Sequence, residues 1–338
     1  MNQPNLAQPM TVPSITVCVD PLEPGIRRFV DTVTAAYARQ PDLDTLPLVT
    51  RRAIAEQVRA PWAAGGPAMA HVDEIDVPMP HAGTSVHMRV LRPPLDGDLP
   101  AFVYLHGGGW MMFSLDTHDR LMREYAARAG VVVIGVDYAL APEHRFPVAI
   151  DQVVQVIQWL AQPGALPGVD VRRLAIGGDS AGANLAMASA LRLRDIGKGN
   201  LLRALVINYG AFDPSPAYQS YEAFGDGRYL LSSHEMRQFW SNYLRDNQDT
   251  RDPLAAPILA DLANLPPSFF TITDLDVLRD ENLRMAERLR DAQTDVTEVV
   301  YPGTVHSFLE AVSISAVSNT ALDDTSSWLR TQLASPIQ

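Results

Sequence analysis

The feature that most constrains this chain is the alternation, from residue 101 onwards, of short β-rich runs with longer helical patterns. Such alternation predicts an α/β protein whose mostly parallel sheet is covered by helices on both faces. The run VVVIGV at 131–136 has no polar residue, as expected of a strand buried on both faces. Eight strands are predicted, at 72–79, 86–92, 101–105, 131–137, 172–176, 204–209, 268–273 and 296–301. Helices are predicted at 118–129, 147–161, 181–195, 278–292 and 319–333.

The alternation is interrupted in two places. The first two strands have no helix between them, so we expect them to pair antiparallel. A polar and aromatic insertion at 213–253 follows the strand at 204–209. Upstream of the strands, helical spacing at 21–39 and 46–60 follows a loose tail at 1–16 and precedes a linker at 60–68. We therefore expect an N-terminal helical segment, 1–68, before a domain at 69–338 that contains the insertion.

Composition excludes several classes of partner. The formal net charge of −12 over 338 residues argues against nucleic acid and anionic membranes, which need a basic surface. The single cysteine, Cys18, excludes an intrachain disulfide, and no Asn-x-Ser/Thr sequon occurs. The first residues do not read as a signal peptide, and no run of about 18 apolar residues occurs. These features predict a cytoplasmic protein.

The stretch AIGGDSAGAN at 175–184 surrounds one serine with small residues where a strand is expected to give way to a helix. It contains G-x-S-x-G, and the strand–turn–helix context is the one in which this motif holds a nucleophile. A sharp turn leaves no room for bulky neighbours two residues away, which explains Gly178 and Gly182. Ser180 is therefore the candidate nucleophile, and Asp179 is interpreted as a turn residue.

The run HGGGW at 106–110 follows the strand at 101–105. Consecutive glycines let backbone N–H groups approach an oxyanion closely, and an HGGG-type loop accompanies the serine elbow in lipases and esterases. The predicted donors are the amides of Gly108, Gly109 and Ala181, and Gly107 is an alternative to one of them.

A serine nucleophile needs a base and a carboxylate that orients the base. On this fold the chain order is serine, acid, histidine, and only His234 and His306 follow Ser180. His234 lies inside the insertion, so His306, after the last predicted strand, is the candidate base. For the acid, spacing alone leaves both Asp274 and Asp276 open.

Together these motifs resemble the hormone-sensitive-lipase-like carboxylesterases, bacterial family IV, which are α/β-hydrolases. The resemblance spans about residues 70–335 and also includes LAPEHRFPVAI at 140–150 and DVLRDE at 276–281. It implies that the acid is Asp276, the first residue of a D-P-L-R-D-E string in which Val277 here replaces proline. It also implies a helical cap, formed by the N-terminal segment and the 213–253 insertion. Glu143 and His144 are interpreted as loop anchors near the site.

The resemblance implies an esterase for short- to medium-chain esters, with an acyl-enzyme on Ser180. Two alternatives remain open: the same triad acting on amides or lactones, and a catalytically silent ligand-binding homologue. Candidates for lining the substrate pocket are Trp110, Tyr209 and Phe212. His81 and His87 have no companions at metal-ligand spacing, so no metal or cofactor is expected. Relatives often dimerise through the edge strand, here 296–301.

Overall fold

The computed structural model describes residues 20–79, 85–215 and 217–334. The predicted tail at 1–16, Cys18 and His81 lie outside these residues. The strands are β1 (His71–Pro78), β2 (Ser85–Arg92), β3 (Leu99–Leu105), β4 (Val132–Asp137), β5 (Val169–Asp179), β6 (Ala204–Asn208), β7 (Ser268–Leu275) and β8 (Val296–Val305). The helices are α1 (Pro24–Tyr37), α2 (Leu48–Ala63), α3 (Asp119–Ala129), α4 (Val148–Leu160), α5 (Ala181–Asp195), α6 (Gln219–Phe224), α7 (Ser233–Tyr243), α8 (Arg279–Asp291) and α9 (Ala316–Ala334).

The strands form one eight-stranded sheet in the order β1-β2-β4-β3-β5-β6-β7-β8. All neighbours from β4 to β8 in this order are parallel. β2 runs antiparallel to β1, as expected for two strands joined without a helix, and it also runs antiparallel to β4. Because parallel strands end at the same edge, the segments after β3, β5, β7 and β8 converge there. The predicted α/β fold, with its mostly parallel sheet of eight strands, is confirmed.

The core lies on both faces of this sheet, which follows from the two-residue period of strand side chains. In β4, Ile134 packs on one face among residues of α4, α5 and α8. Val133 packs on the opposite face with residues of α3, α9 and α1. All of 131–136 is buried, in agreement with its unbroken apolar sequence.

Two boundaries differ from the sequence-based expectation. The linker predicted at 60–68 begins later, because α2 continues through Pro61 to Ala63 before the chain leaves the helix. The residues 302–305, beyond the predicted end of the last strand at 301, belong to β8, whose ladder with β7 shifts register near its end. As a result β8 extends to the residue before His306.

Replacing Ile134 with alanine should lower the free energy of unfolding by about 2 to 5 kcal/mol, because the side chain is fully buried in the central sheet. The matched control is Ile196→Ala, since Ile196 is 46% exposed and its truncation should change stability by less than about 0.5 kcal/mol. Urea denaturation followed by circular dichroism measures both. An equal loss in the free energy of unfolding for both variants would show that the destabilisation does not depend on burial in the sheet.

Candidate active site

Ser180 lies in the sharp turn between β5 and α5, so no residue separates strand, serine and helix. Its backbone has φ 54°, a left-handed conformation that costs energy for a non-glycine residue. A Cβ on Gly178 would lie 2.2 Å from the Leu105 carbonyl oxygen, and one on Gly182 would lie 1.9 Å from the same atom. Both glycines are therefore required because the turn packs directly against the end of β3.

The structure brings Ser180, His306 and Asp276 together in one hydrogen-bonded chain. His306 Nε2 lies 2.9 Å from Ser180 Oγ, and His306 Nδ1 lies 2.7 Å from Asp276 Oδ2. All three residues are buried. With a proton on Nδ1 donated to Asp276, Nε2 is free to accept the proton of Ser180, as general-base chemistry requires.

The structure separates the two acid candidates that spacing left open. Asp274 accepts a hydrogen bond from the Gly303 N–H at 3.2 Å, whereas Asp276 faces His306. Asp276 also accepts from Thr273 Oγ1 at 2.6 Å and from the Leu278 N–H at 2.9 Å. Burial opposes its ionisation, but His306 and these hydrogen bonds keep the pKa of Asp276 below its usual value.

Residues 107–112 include the predicted oxyanion donors Gly108 and Gly109 and are called the oxyanion loop. This loop lies beside the serine. Gly108 and Gly109 line the same cavity as Ser180. Neither their N–H groups nor that of Ala181 has a hydrogen-bond acceptor in the part of the chain that the structure describes. The Gly107 N–H instead donates to Asp179 Oδ1 at 3.1 Å. The prediction that Gly107 is an alternative oxyanion donor is therefore wrong, because its N–H already donates to Asp179.

Asp179 is more than the turn residue that sequence suggested. Its carboxylate accepts from Tyr104 Oη at 2.6 Å as well as from Gly107, and lies 3.4 Å from His118 Nε2. Burial disfavours the charge, but His118 and Tyr104 hold the pKa of Asp179 below its ordinary value. An acidic residue next to the nucleophile was visible in the sequence. Its partners were not, since they lie more than 60 positions away.

The cavity above Ser180 has a volume of about 480 Å³. The N-terminal helical segment and the insertion at 213–253 both line this cavity. Residues from α1, α2 and the 227–239 stretch contribute to its wall: Val33, Thr34, Tyr37, Arg51, Ala55, Arg59, Leu230, Leu231 and Phe239. Phe239 packs so closely on Gly109 that a Cβ there would lie 2.3 Å from its ring.

The three residues predicted to line the pocket lie outside this wall. Trp110 is buried against Tyr243, with parallel rings whose centroids are 4.4 Å apart. Phe212 is fully buried, and its N–H donates to Glu281. Tyr209 lies behind the triad, with its ring 5.1 Å from that of His306. These predictions are wrong because each aromatic ring packs into the protein interior.

The remaining candidates do not extend the site. His87 pairs with Glu74 and Asp76 on the surface, and His234 lies near Asp44. Val277, which replaces the family proline, is fully buried, and its carbonyl accepts from Ser220 Oγ. Within 20–79, 85–215 and 217–334, no three His, Cys, Asp or Glu side chains are grouped as metal ligands would be. The helices described there include none long and apolar enough to cross a membrane.

Comparisons with known proteins agree with this geometry. A family model described as alpha/beta hydrolase fold matches residues 102–310. An acetyl esterase of Salmonella choleraesuis (strain SC-B67) is 32% identical over 321 residues, which cover 93% of this chain and 98% of that protein.

Solved structures of esterases superpose closely. An ester hydrolase from the metagenome of Lake Arreo, complexed with a derivative of bipyridine phosphonate, has a TM-score of 0.86 at 33% identity and covers 93% of this chain and 100% of its own. A hyperthermophilic esterase from the archaeon Pyrobaculum calidifontis has a TM-score of 0.85 at 32% identity, with the same coverage.

The chain therefore belongs to the alpha/beta-hydrolase family, among the esterases that resemble hormone-sensitive lipase. It is a serine carboxylesterase, a carboxylic ester hydrolase. The fold and the activity predicted from the sequence are both confirmed.

The pair of His118 and Asp179 should make stability depend on pH. Burial lowers the pKa of His118, but the charge of Asp179 outweighs it, so this pKa lies above the ordinary value of about 6.5. The stabilisation is complete below the unfolded-state value and is lost as pH rises through the raised pKa. Wild type should therefore exceed His118→Gln in stability by more at pH 6 than at pH 9, by on the order of 1 kcal/mol.

Urea denaturation at the two pH values measures this difference. His144→Gln is the control, because His144 is exposed and has no comparable partner in the described chain. If the free energy of unfolding of wild type exceeded that of His118→Gln by the same amount at both pH values, the proposed pairing would be contradicted.

Proposed function

We propose that this esterase hydrolyses short- to medium-chain carboxylic esters through an acyl-enzyme on Ser180. The observation that carries the proposal is the continuous hydrogen-bonded chain Ser180–His306–Asp276, which lies at a cavity of about 480 Å³. Serine, imidazole and carboxylate in this order are the groups that activate an alcohol as a nucleophile at neutral pH.

In the first half-reaction, Ser180 Oγ attacks the ester carbonyl while His306 Nε2 takes its proton. Asp276 stabilises the imidazolium that forms, and its lowered pKa keeps it ionised for this role. The N–H groups of Gly108, Gly109 and Ala181 stabilise the oxyanion, since they lie at the cavity and at the start of α5. His306 then protonates the leaving alcohol.

In the second half-reaction, water replaces the alcohol. His306 removes a proton from the water, which attacks the acyl-enzyme carbonyl, and the same amides stabilise the second oxyanion. The bond between the acyl carbon and Ser180 Oγ breaks, Oγ regains a proton from His306, and the carboxylic acid leaves.

The preference for shorter acyl chains follows from the helical segments around the cavity. In our proposal, the described parts of the segments 1–68 and 213–253 form a cap. Residues of α1, α2 and the stretch that includes Phe239 contribute to the cavity wall. In this proposal a long acyl chain has to fit within the cavity of about 480 Å³ or displace the cap.

The assay compares p-nitrophenyl acetate, butyrate, octanoate and palmitate with wild type and Ser180→Ala. We expect the rate to fall beyond octanoate. Ser180→Ala should lose activity by on the order of a million-fold, as nucleophile loss does in a comparable hydrolase. The matched control is Ser327→Ala, because Ser327 is an exposed residue of α9 that lies outside both the triad and the cavity wall. Wild-type inactivity on all four esters, or undiminished hydrolysis by Ser180→Ala, would contradict the proposal. Amide hydrolysis at comparable rates would favour the broader acyl-transfer alternative.

We also propose that two copies associate through residues 296–301. β8 is the last strand in the sheet order, and its hydrogen-bonding edge away from β7 faces no other strand in the described chain. Such an edge can pair with the same edge of a second copy around a two-fold axis. Multi-angle light scattering at micromolar concentration should give twice the mass of 37.0 kDa, and Val299→Pro should reduce it. A monomer mass for wild type would end this proposal.

The remaining partners follow from charge and composition. A small neutral ester is the expected ligand, since the net charge of −12 disfavours nucleic acid and anionic lipid. We infer a cytoplasmic location from the single cysteine and the lack of a glycosylation sequon.

A further inference from the structure

Arg52, on helix α2, fastens the N-terminal helical segment to the oxyanion loop. Its Nε donates to the Met111 carbonyl oxygen at 2.7 Å, and its Nη2 donates to the Ala141 carbonyl oxygen at 2.9 Å. Nη1 and Nη2 also bind the two carboxylate oxygens of Glu143, each at 2.8 Å. One guanidinium therefore satisfies two backbone carbonyls and one carboxylate at once.

The carbonyl that Arg52 holds belongs to the turn that orients the oxyanion donors. The N–H groups of Met111 and Met112 both donate to the Gly108 carbonyl oxygen, at 3.1 and 2.9 Å. Because a trans peptide is planar, fixing the Gly108 carbonyl also fixes the N–H of Gly109 on the opposite side of the same peptide. The direction of a proposed oxyanion donor thus depends on where Met111 lies.

A second connection braces the neighbouring peptide. The Ala141 N–H donates to the Trp110 carbonyl oxygen at 2.9 Å, while the Ala141 carbonyl accepts from Arg52. The guanidinium therefore supports Met111 directly and Trp110 through Ala141. The turn itself has little freedom to adjust, since a Cβ on Gly108 would lie 2.2 Å from the Met112 carbonyl oxygen.

Arginine is the residue type suited to this position. Its planar fork binds a carboxylate through two parallel hydrogen bonds and still has an Nε–H for a third acceptor, whereas a lysine ammonium is a single point charge. The Arg52 side chain is 24% exposed, so its hydrogen bonds are partly shielded from water. It does not belong to the cavity wall, unlike its neighbour Arg51.

We propose that Arg52 is a positioning residue for ester hydrolysis, which aligns the Gly109 amide, one of the proposed oxyanion donors beside Gly108 and Ala181, with the developing oxyanion by holding Met111. The inference rests on the proposed function, because it requires the oxyanion to form at these amides. It makes helix α2 part of the catalytic machinery as well as a wall of the pocket.

The test compares wild type, Arg52→Gln and the charge-matched control Arg192→Gln on p-nitrophenyl butyrate. Arg192 lies at the far end of α5, and among the described residues it pairs with Asp151 alone, at 3.8 Å. Loss of a whole oxyanion donor costs about 100- to 1,000-fold in kcat, so misalignment should cost Arg52→Gln about 10- to 100-fold. We expect KM to change less than about two-fold, because ground-state binding does not use these amides fully.

A second readout separates positioning from a general loss of structure. A boronic acid that forms a tetrahedral adduct with the serine should bind Arg52→Gln more weakly, by the same factor as the loss in kcat/KM. The affinity for butyrate, which is a ground-state ligand, should stay within about two-fold. Weaker binding of both ligands to the same extent would overturn the proposal.

If Arg52→Gln fails to fold, Arg52→Lys carries the test, because it keeps the charge and one donor. It should show an intermediate loss of kcat with unchanged KM, and a wild-type kcat in Arg52→Lys would overturn the inference. If wild type does not hydrolyse the butyrate ester, the proposed function has failed. If wild type is active and Arg52→Gln equals it, only the role of Arg52 has failed.

Discussion

The structure depends on one close contact, that of the turn around Ser180 with the end of strand β3. The Leu105 carbonyl lies where side chains on Gly178 and Gly182 would be, so backbone packs on backbone. This contact places the start of α5 next to the oxyanion loop, which follows β3 directly. The proposed nucleophile and the proposed oxyanion donors are thus brought together by sheet packing. The strained conformation of Ser180 is maintained by the same contact.

The parallel sheet then supplies the other two groups. β7 and β8 end at the same edge as β5, so Asp276 and His306 emerge beside each other and reach toward Ser180. A buried carboxylate is costly unless its charge is compensated, and here His306, Thr273 and the Leu278 N–H compensate it. These hydrogen bonds also fix the rotamer of Asp276, which in turn fixes the orientation of the imidazole. The hydrogen bonds that compensate the buried charge of Asp276 are therefore the same ones that orient His306.

Two buried carboxylates flank the serine turn, and they act on different parts of it. Asp276 faces the base, whereas Asp179 binds the Gly107 N–H and Tyr104 behind the oxyanion loop. The loop is thus held from inside by Asp179 and from outside by Arg52, with Phe239 packed on Gly109. The helices that line the cavity and the loop that carries the proposed oxyanion donors are consequently connected by one network of contacts.

The sequence by itself determined the α/β class and the strand–turn–helix around Ser180, because periodicity and small-residue spacing are local properties. It also identified His306 as the candidate base, because the order of residues along the chain can be read directly. It did not separate Asp274 from Asp276 by spacing, since both follow the predicted strand at 268–273 and only contact with His306 distinguishes them. It also misplaced Trp110, whose stacking partner Tyr243 is more than 100 positions away. Two hydrogen bonds were decided by tertiary structure alone: the one from the Gly107 N–H to Asp179 and the one from Arg52 to the Met111 carbonyl oxygen. Each is a hydrogen bond between distant segments, and a sequence pattern carries no information on which distant groups meet until the sheet and the helices have packed.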